Sequence, residues 1–164
     1  MTTLDINSPR GRIAAADQLR AVEIVFGGAN GFNFFSTATD DAAAIDGFVV
    51  HLGIINAVAE IKSRDCTYEN LMGPFKGEWL LSHQKLLDVQ AISRLLRIPG
   101  YGFLFLVPSD MVLVLTLTNS LGTIVCRHRE ELTATKKSCN GGSIQRNNAY
   151  IDVSGAKIYR GNKL

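Results

Sequence analysis

Residues 44–64 read "AIDGFVVHLGIINAVAEIKSR", and how this stretch folds decides the architecture of the whole chain. Val, Ile and Phe fill both arms, and Leu52-Gly53-Ile54 marks a tight turn between them, so the pattern predicts a β-hairpin. Side chains two apart on a strand share a face. Glu60 and Lys62 therefore point the same way as Val58, while Ala59, Ile61 and Ser63 point the other. With the turn at 52–54, antiparallel register brings Asp46 close to Glu60 and Lys62, to within two residues.

Two carboxylates and one ammonium then converge in an otherwise apolar stretch. Carboxylates this close are costly without a counter-ion. Two carboxylate oxygens, a main-chain carbonyl and waters form a usual environment for Mg²⁺, a hard cation that keeps several waters. Spacing alone also fits a surface ion pair between Lys62 and one acid, worth about 0–1 kcal/mol. The apolar run "INAVAEIK" speaks instead for a half-buried position.

Working outward, "SPRGRIAAADQLRAVEIVFGG" (residues 8–28) has helix signals at both ends: Ser8 as cap, Pro9 in the first turn and Gly27-Gly28 at the stop. Ala15, Leu19, Val22 and Phe26 recur at helical spacing as its expected buried stripe, with Glu23 beside it. A short strand is expected at 32–35. After the hairpin, "DCTYENLMGPFKGEW" (65–79) reads as a loop with one helical turn, and loops of that length in compact domains are often functional.

Next, "LSHQKLLDVQAISRLLRIPG" (81–100) is a capped amphipathic helix. Ser82 starts it, Leu86, Val89, Ile92, Leu95 and Leu96 form its apolar face, and Pro99-Gly100 ends it. Lys85 falls in the first turn, where the helix dipole disfavours a cation by about 0.3–1 kcal/mol, so a compensating partner is expected. "YGFLFLVPSDMVLVLTLTN" (101–119) follows as two uniformly apolar strands around "PSD", a composition typical of strands covered on both faces. Beyond it, a strand is expected at 122–127 and a terminal hairpin around Ser154-Gly155.

The 164 residues fit one domain, and 46% apolar with 20% charged residues suffice for a core. No apolar run resembles a signal peptide or reaches the roughly 18 residues of a membrane span, so an intracellular protein with no membrane partner is expected. Cys66, Cys126 and Cys139 lack metal or redox spacing and read as reduced and idle. Residues 1–119 carry 9 Lys/Arg against 12 Asp/Glu, whereas residues 120–164 carry 8 against 3. That basic end fits contact with a polyanion and equally fits a solvated surface.

Asp46 in "AIDGFVV" with Glu60 and Lys62 in "AVAEIKSR" resembles the active site of the PD-(D/E)XK nuclease superfamily, small phage and bacterial members in particular. The order helix, hairpin, helix, strand is similar to that superfamily's αβββαβ core over roughly residues 8–118, leaving a basic extension from about 119 to 164. Ile45 stands where the family pattern has Pro. The resemblance implies an α/β, restriction-endonuclease-like fold with a mixed central sheet flanked by helices. It further implies a Mg²⁺-dependent DNA nuclease, with Mn²⁺ as substitute ion, acting in phage or bacterial recombination, repair or processing in the cytoplasm.

Under it, Asp46, Glu60 and the Ile61 carbonyl hold the ion, Lys62 orients the attacking water or steadies phosphate charge, Glu23 binds a second ion or its water, and Lys85 contacts phosphate. Glu23 and Lys85 equally fit solvated charges. His51, His83 and His128 read as structural or surface groups, and Arg64 as an edge charge or phosphate contact. Trp79 and Tyr68 fit packing under the loop, or base stacking at about 1–3 kcal/mol each. A homodimer or larger partner would supply the surface a small domain lacks. Two other readings stand beside catalysis: a non-catalytic nucleic-acid-binding or protein-binding phage accessory or anti-defence protein on the same fold, and a small interaction domain whose hairpin charges are coincidental.

Overall fold

The computed structural model describes residues 8–37, 43–136 and 143–162. Helix α1 (Pro9–Phe26) is capped by Ser8, whose hydroxyl accepts from the Gly11 amide. It leads into strands β1 (Phe32–Ser36), β2 (Gly47–His51) and β3 (Ile54–Arg64), which form the expected antiparallel meander. Leu52 and Gly53, both at positive φ, make the two-residue turn between β2 and β3.

Two short elements follow: α2 (Tyr68–Met72), the expected helical turn, and β4 (Glu78–Ser82), a strand where a loop was expected up to Trp79 and the start of a helix from Leu81. Helix α3 (His83–Leu96) then crosses over to β5 (Gly100–Leu106), which pairs parallel to β3. Strand β6 (Met111–Thr118) returns antiparallel after the turn at 107–110. The last strands are β7 (His128–Lys136), β8 (Ser143–Asp152) and β9 (Lys157–Arg160).

A mixed six-stranded sheet has the order β1-β2-β3-β5-β6-β9, and a second sheet has the order β4-β8-β7. The molecule is thus α/β with a mixed sheet and three helices. Strand parity on β3 sorts the core into two. Ala57, Ala59 and Ile61 join Val49, Phe103, Phe105 and Val112 on the face that Ala21 of α1 covers. Val58 joins Leu104, Leu106 and Leu113 on the other, against Leu86 and Val89 of α3 and Trp79, Leu81, Ala149 and Ile151 of the second sheet. β5 is therefore covered on both faces, which accounts for its unbroken apolar run.

Several expectations are corrected. Leu19 is 72% exposed, and α1 instead buries Ala21, because the small side chains Ala57 and Ala59 beneath it admit a close approach. Leu95 of α3 is 79% exposed, and Ser93 is buried in its stead, sharing a 2.7 Å hydrogen bond with the Thr118 hydroxyl. The 122–127 stretch makes only a bridge from Ile124 to Thr118. Strands β8 and β9 do not form a hairpin: β8 pairs with β4 and β7, and β9 with β6. The expected C-terminal extension thus contributes Ala149, Ile151 and Val153 to the main core. Among the described residues no helix is long and apolar enough to cross a membrane.

Candidate active site

The hairpin and α3 together gather the charged residues singled out above. Asp46 lies just before β2 and is fixed by three hydrogen bonds. Its amide donates to the Ala59 carbonyl at 3.1 Å, its carbonyl accepts from the Thr37 amide at 2.9 Å, and its Oδ2 accepts from the Ile61 amide at 2.7 Å. The side chain thereby continues the β2–β3 ladder past the point where main-chain pairing stops, which holds the carboxylate beside β3.

Glu60 is wholly buried, on the face of β3 that carries Val58. The Lys62 Nζ stands 3.0 Å from Glu60 Oε1, and the Lys85 Nζ 3.5 Å from Oε2. The Lys62 ammonium is thus at charge-assisted hydrogen-bond distance from Oε1, while Lys85 makes a longer charge contact with Oε2. Burial raises the Glu60 pKa; Lys62 opposes the shift, the Asp46 charge adds to it and Lys85 opposes it. For Lys62, burial pulls the pKa down, but Glu60 and Asp46 outweigh it and the ammonium titrates above its ordinary value.

Lys85 has the compensation that its place at a helix N-terminus calls for. Its ammonium donates to the carbonyls of Ala43 at 3.1 Å and Ala44 at 3.2 Å, besides facing Glu60. The residues that tie the 43–46 segment to α3 were not foreseen, since a lysine reaching two backbone carbonyls 41 and 42 positions away leaves no local mark.

Glu23 is not brought into this group. It lies on α1, against the opposite face of the sheet, with its side chain 67% exposed and paired to Arg20 at 2.7 Å. Arg20 in turn makes a two-pronged contact with Asp110, at 3.0 and 2.6 Å, tying α1 to the β5–β6 turn.

Each histidine has a partner within the protein. His51 stacks on Phe32 with ring centroids 4.2 Å apart, His83 contacts Glu130 at 3.1 Å, and His128 bonds the Cys126 carbonyl at 3.1 Å. Burial raises the Cys66 thiol pKa and pushes that of Cys126 up to about 11; Cys139 lies outside the described residues. Part of the basic C-terminal charge is paired locally: Arg129 with Glu78 at 2.8 Å and with Glu131, and Arg127 with Asp152 at 3.9 Å.

Among the described residues no cluster of three or more His, Cys, Asp or Glu side chains is poised for a metal ion. Mg²⁺ does not require one, because it is commonly held by one or two carboxylates with waters completing an octahedron. A buried carboxylate, Glu60, within the field of a second, hydrogen-bonded one, Asp46, fits that requirement. Neither a protein-family model, a curated protein nor a solved structure matches the chain.

Proposed function

We propose that this chain is a metal-dependent nuclease that hydrolyses DNA phosphodiester bonds, built on a restriction-endonuclease-like fold and acting in phage or bacterial DNA recombination, repair or processing. The observation that carries the reading is Glu60: a fully buried carboxylate on β3, within the field of Asp46 and contacted by the Lys62 and Lys85 ammonium groups. Replacing a buried carboxylate together with its charged partners by apolar residues of similar size is often neutral or stabilising, so stability alone gives little reason to place such a cluster there. Apart from α2 and β4, which intervene between β3 and α3, the order α1-β1-β2-β3-α3-β5, with strand order β1-β2-β3-β5 and a parallel β3–β5 pair, resembles the αβββαβ arrangement and supports the same reading.

Asp46 and Glu60 would hold Mg²⁺ or Mn²⁺, with the Ile61 carbonyl as a further oxygen ligand; when bound, such an ion polarises a phosphate and acidifies a coordinated water. Asp46 reaches this task already oriented, because one of its oxygens is tied to the Ile61 amide and, among the described residues, the other accepts no hydrogen bond. Lys62 is about one-third exposed, so its ammonium lies at the border between the buried Glu60 and solvent, where it can steady charge on a phosphate oxygen or orient water. Lys85 anchors the 43–46 segment against α3 and balances Glu60, a positioning role in place of direct phosphate contact. Glu23 takes no part.

A second reading keeps the fold and removes the chemistry: a nucleic-acid-binding or protein-binding accessory protein. It is favoured by the two ammonium groups facing Glu60, which balance the carboxylates without any ion. Incubating the protein with linear, nicked, branched and single-stranded DNA in Mg²⁺ or Mn²⁺, beside Asp46→Ala and Lys62→Ala variants, separates the two. Ion-dependent cleavage lost in both variants supports the nuclease; no cleavage, or cleavage equal in wild type and variants, removes it.

A further inference from the structure

The face of β3 that carries Glu60 and Lys62 continues to Arg64, and Arg64 opens onto a cleft of about 520 Å³. That volume lies in the range of small-ligand sites. Its walls are mainly apolar: Leu71, Pro74, Phe75 and Trp79, with Leu104 from the sheet. Phe75 is 55% exposed and stands on the segment between α2 and β4 that the sequence marked as a candidate functional loop.

Three features of this cleft point to a ligand. First, Arg64 donates to the carbonyls of Ser63 at 3.0 Å and Leu80 at 2.8 Å, and no carboxylate pairs with it among the described residues. A guanidinium has five N–H donors, so most remain for an anion. Burial lowers its pKa, a sign of a cation lacking local compensation, although it stays protonated. Second, Trp79 is 1% exposed and its indole N–H is buried without an acceptor. Third, the acid Glu78 on the cleft wall is neutralised by Arg129, which donates to it at 2.8 and 2.9 Å while lying 4.0 Å over the Tyr150 ring. Lys76 adds a cation, and Asp65 is the remaining lining acid.

An anion on a flat apolar body matches this combination, and the position narrows it further. Residues two apart on a strand lie about 7 Å apart, comparable to one nucleotide step of an extended strand, so a phosphate at Lys62 sets its neighbour at Arg64. We propose that the cleft receives one unpaired nucleotide unit, its phosphate on Arg64 and its base against the exposed Phe75 and Pro74, over the buried Trp79 and Leu71. The inference rests on the nuclease reading for its choice of ligand, and it defines the substrate as DNA with a single-stranded end or gap next to the cleaved bond.

Trp79 is the sole tryptophan of the chain, so its fluorescence reports on the cleft directly. The full chain is titrated in EDTA, which prevents cleavage, with a deoxynucleoside monophosphate, a short single-stranded oligonucleotide and inorganic phosphate. Saturable change with the monophosphate or the oligonucleotide, and none with phosphate, is expected; response to both marks a strand-borne or free nucleotide, response to one alone identifies which.

Arg64→Gln weakens the response by about tenfold or more. Phe75→Ala, a change at an exposed loop residue that leaves the core intact, weakens it by about fivefold or more. No change with either nucleotide, equal change with phosphate, or unaltered affinity in Phe75→Ala overturns the inference. Quenching without any DNA cleavage in Mg²⁺ keeps the cleft and removes the nuclease, whereas cleavage without quenching removes the cleft alone.

Discussion

Asp46 Oδ2 accepts a 2.7 Å hydrogen bond from the amide of Ile61, the residue between Glu60 and Lys62. This single bond ties the acid at the mouth of β2 to the strand that carries the other two charged groups. Among the described residues the other oxygen, Oδ1, accepts no hydrogen bond, and it is the one proposed to bind the ion. Asp46→Asn keeps the size of the side chain and removes its charge. Cleavage is expected to fall by at least about 10²-fold, the scale on which loss of one preorganised electrostatic contact acts, while the fold persists. Rates on linear DNA in Mg²⁺, with circular dichroism as the control for folding, check it.

Lys62 separates ion binding from turnover. Its ammonium faces Glu60 Oε1 at 3.0 Å and therefore competes with a cation for that oxygen. Lys62→Ala should leave Mn²⁺ affinity equal or higher while lowering cleavage by about 10²-fold or more. In the ion-free protein the same change leaves the buried Glu60 with Lys85 alone and costs up to about 3 kcal/mol, discounted because Lys62 is part-exposed. Denaturant unfolding in EDTA measures that cost, and recovery on adding Mn²⁺ is expected.

The pH dependence follows from Glu60, whose pKa burial raises, against the opposing charge of Lys62. A divalent ion needs the ionised carboxylate, so ion affinity should fall on acidification at a higher pH than the ordinary glutamate value of about 4.3 would give. Stability of the ion-free protein runs the other way. The folded pKa exceeds the unfolded one, so the Glu60 contribution is fully present below the unfolded value and is lost as pH rises through the folded value. Thermal midpoints in EDTA should therefore decline over that window, and Glu60→Gln should remove this part of the decline. Identical pH profiles for wild type and Glu60→Gln contradict the assignment.

Packing supplies a test independent of chemistry. A Cβ at Gly102 of β5 would lie 2.5 Å from the Trp79 ring, closer than real contacts allow. Gly102→Ala is thus expected to destabilise by about 1–3 kcal/mol and to shift Trp79 fluorescence, since overpacking a filled core forces the ring to move. Gly155→Ala is the control, because a Cβ there meets nothing within 4 Å.

The hairpin and its charged face were legible because strand parity is a strictly local rule: the alternation in "INAVAEIKSR" fixes which side chains meet, and Gly53 fixes the turn. The Ser82 cap made α3 legible for the same reason. Pairings between distant segments left no such trace. β4 finds its partner β8 about 70 residues on, so "EWLLS" reads as the end of a loop and the start of a helix until the second sheet is known. The 153–156 turn looks like a hairpin turn, but β9 leaves β8 to complete the edge beside β6. Glu23 was misplaced because helical spacing tells which residues share a stripe and not which side of a sheet the helix covers. The cleft was hidden likewise, since Arg64, Phe75 and Tyr150 come from three separate elements.

The central claim is that Asp46 and Glu60 jointly hold one divalent ion. Titration of the protein with Mn²⁺, following free ion by electron paramagnetic resonance, tests it most directly. One ion bound per chain in the wild type, with binding lost in both Asp46→Asn and Glu60→Gln and kept in Lys62→Ala, is the predicted result. No stoichiometric binding, or binding unchanged in either carboxylate variant, would contradict it.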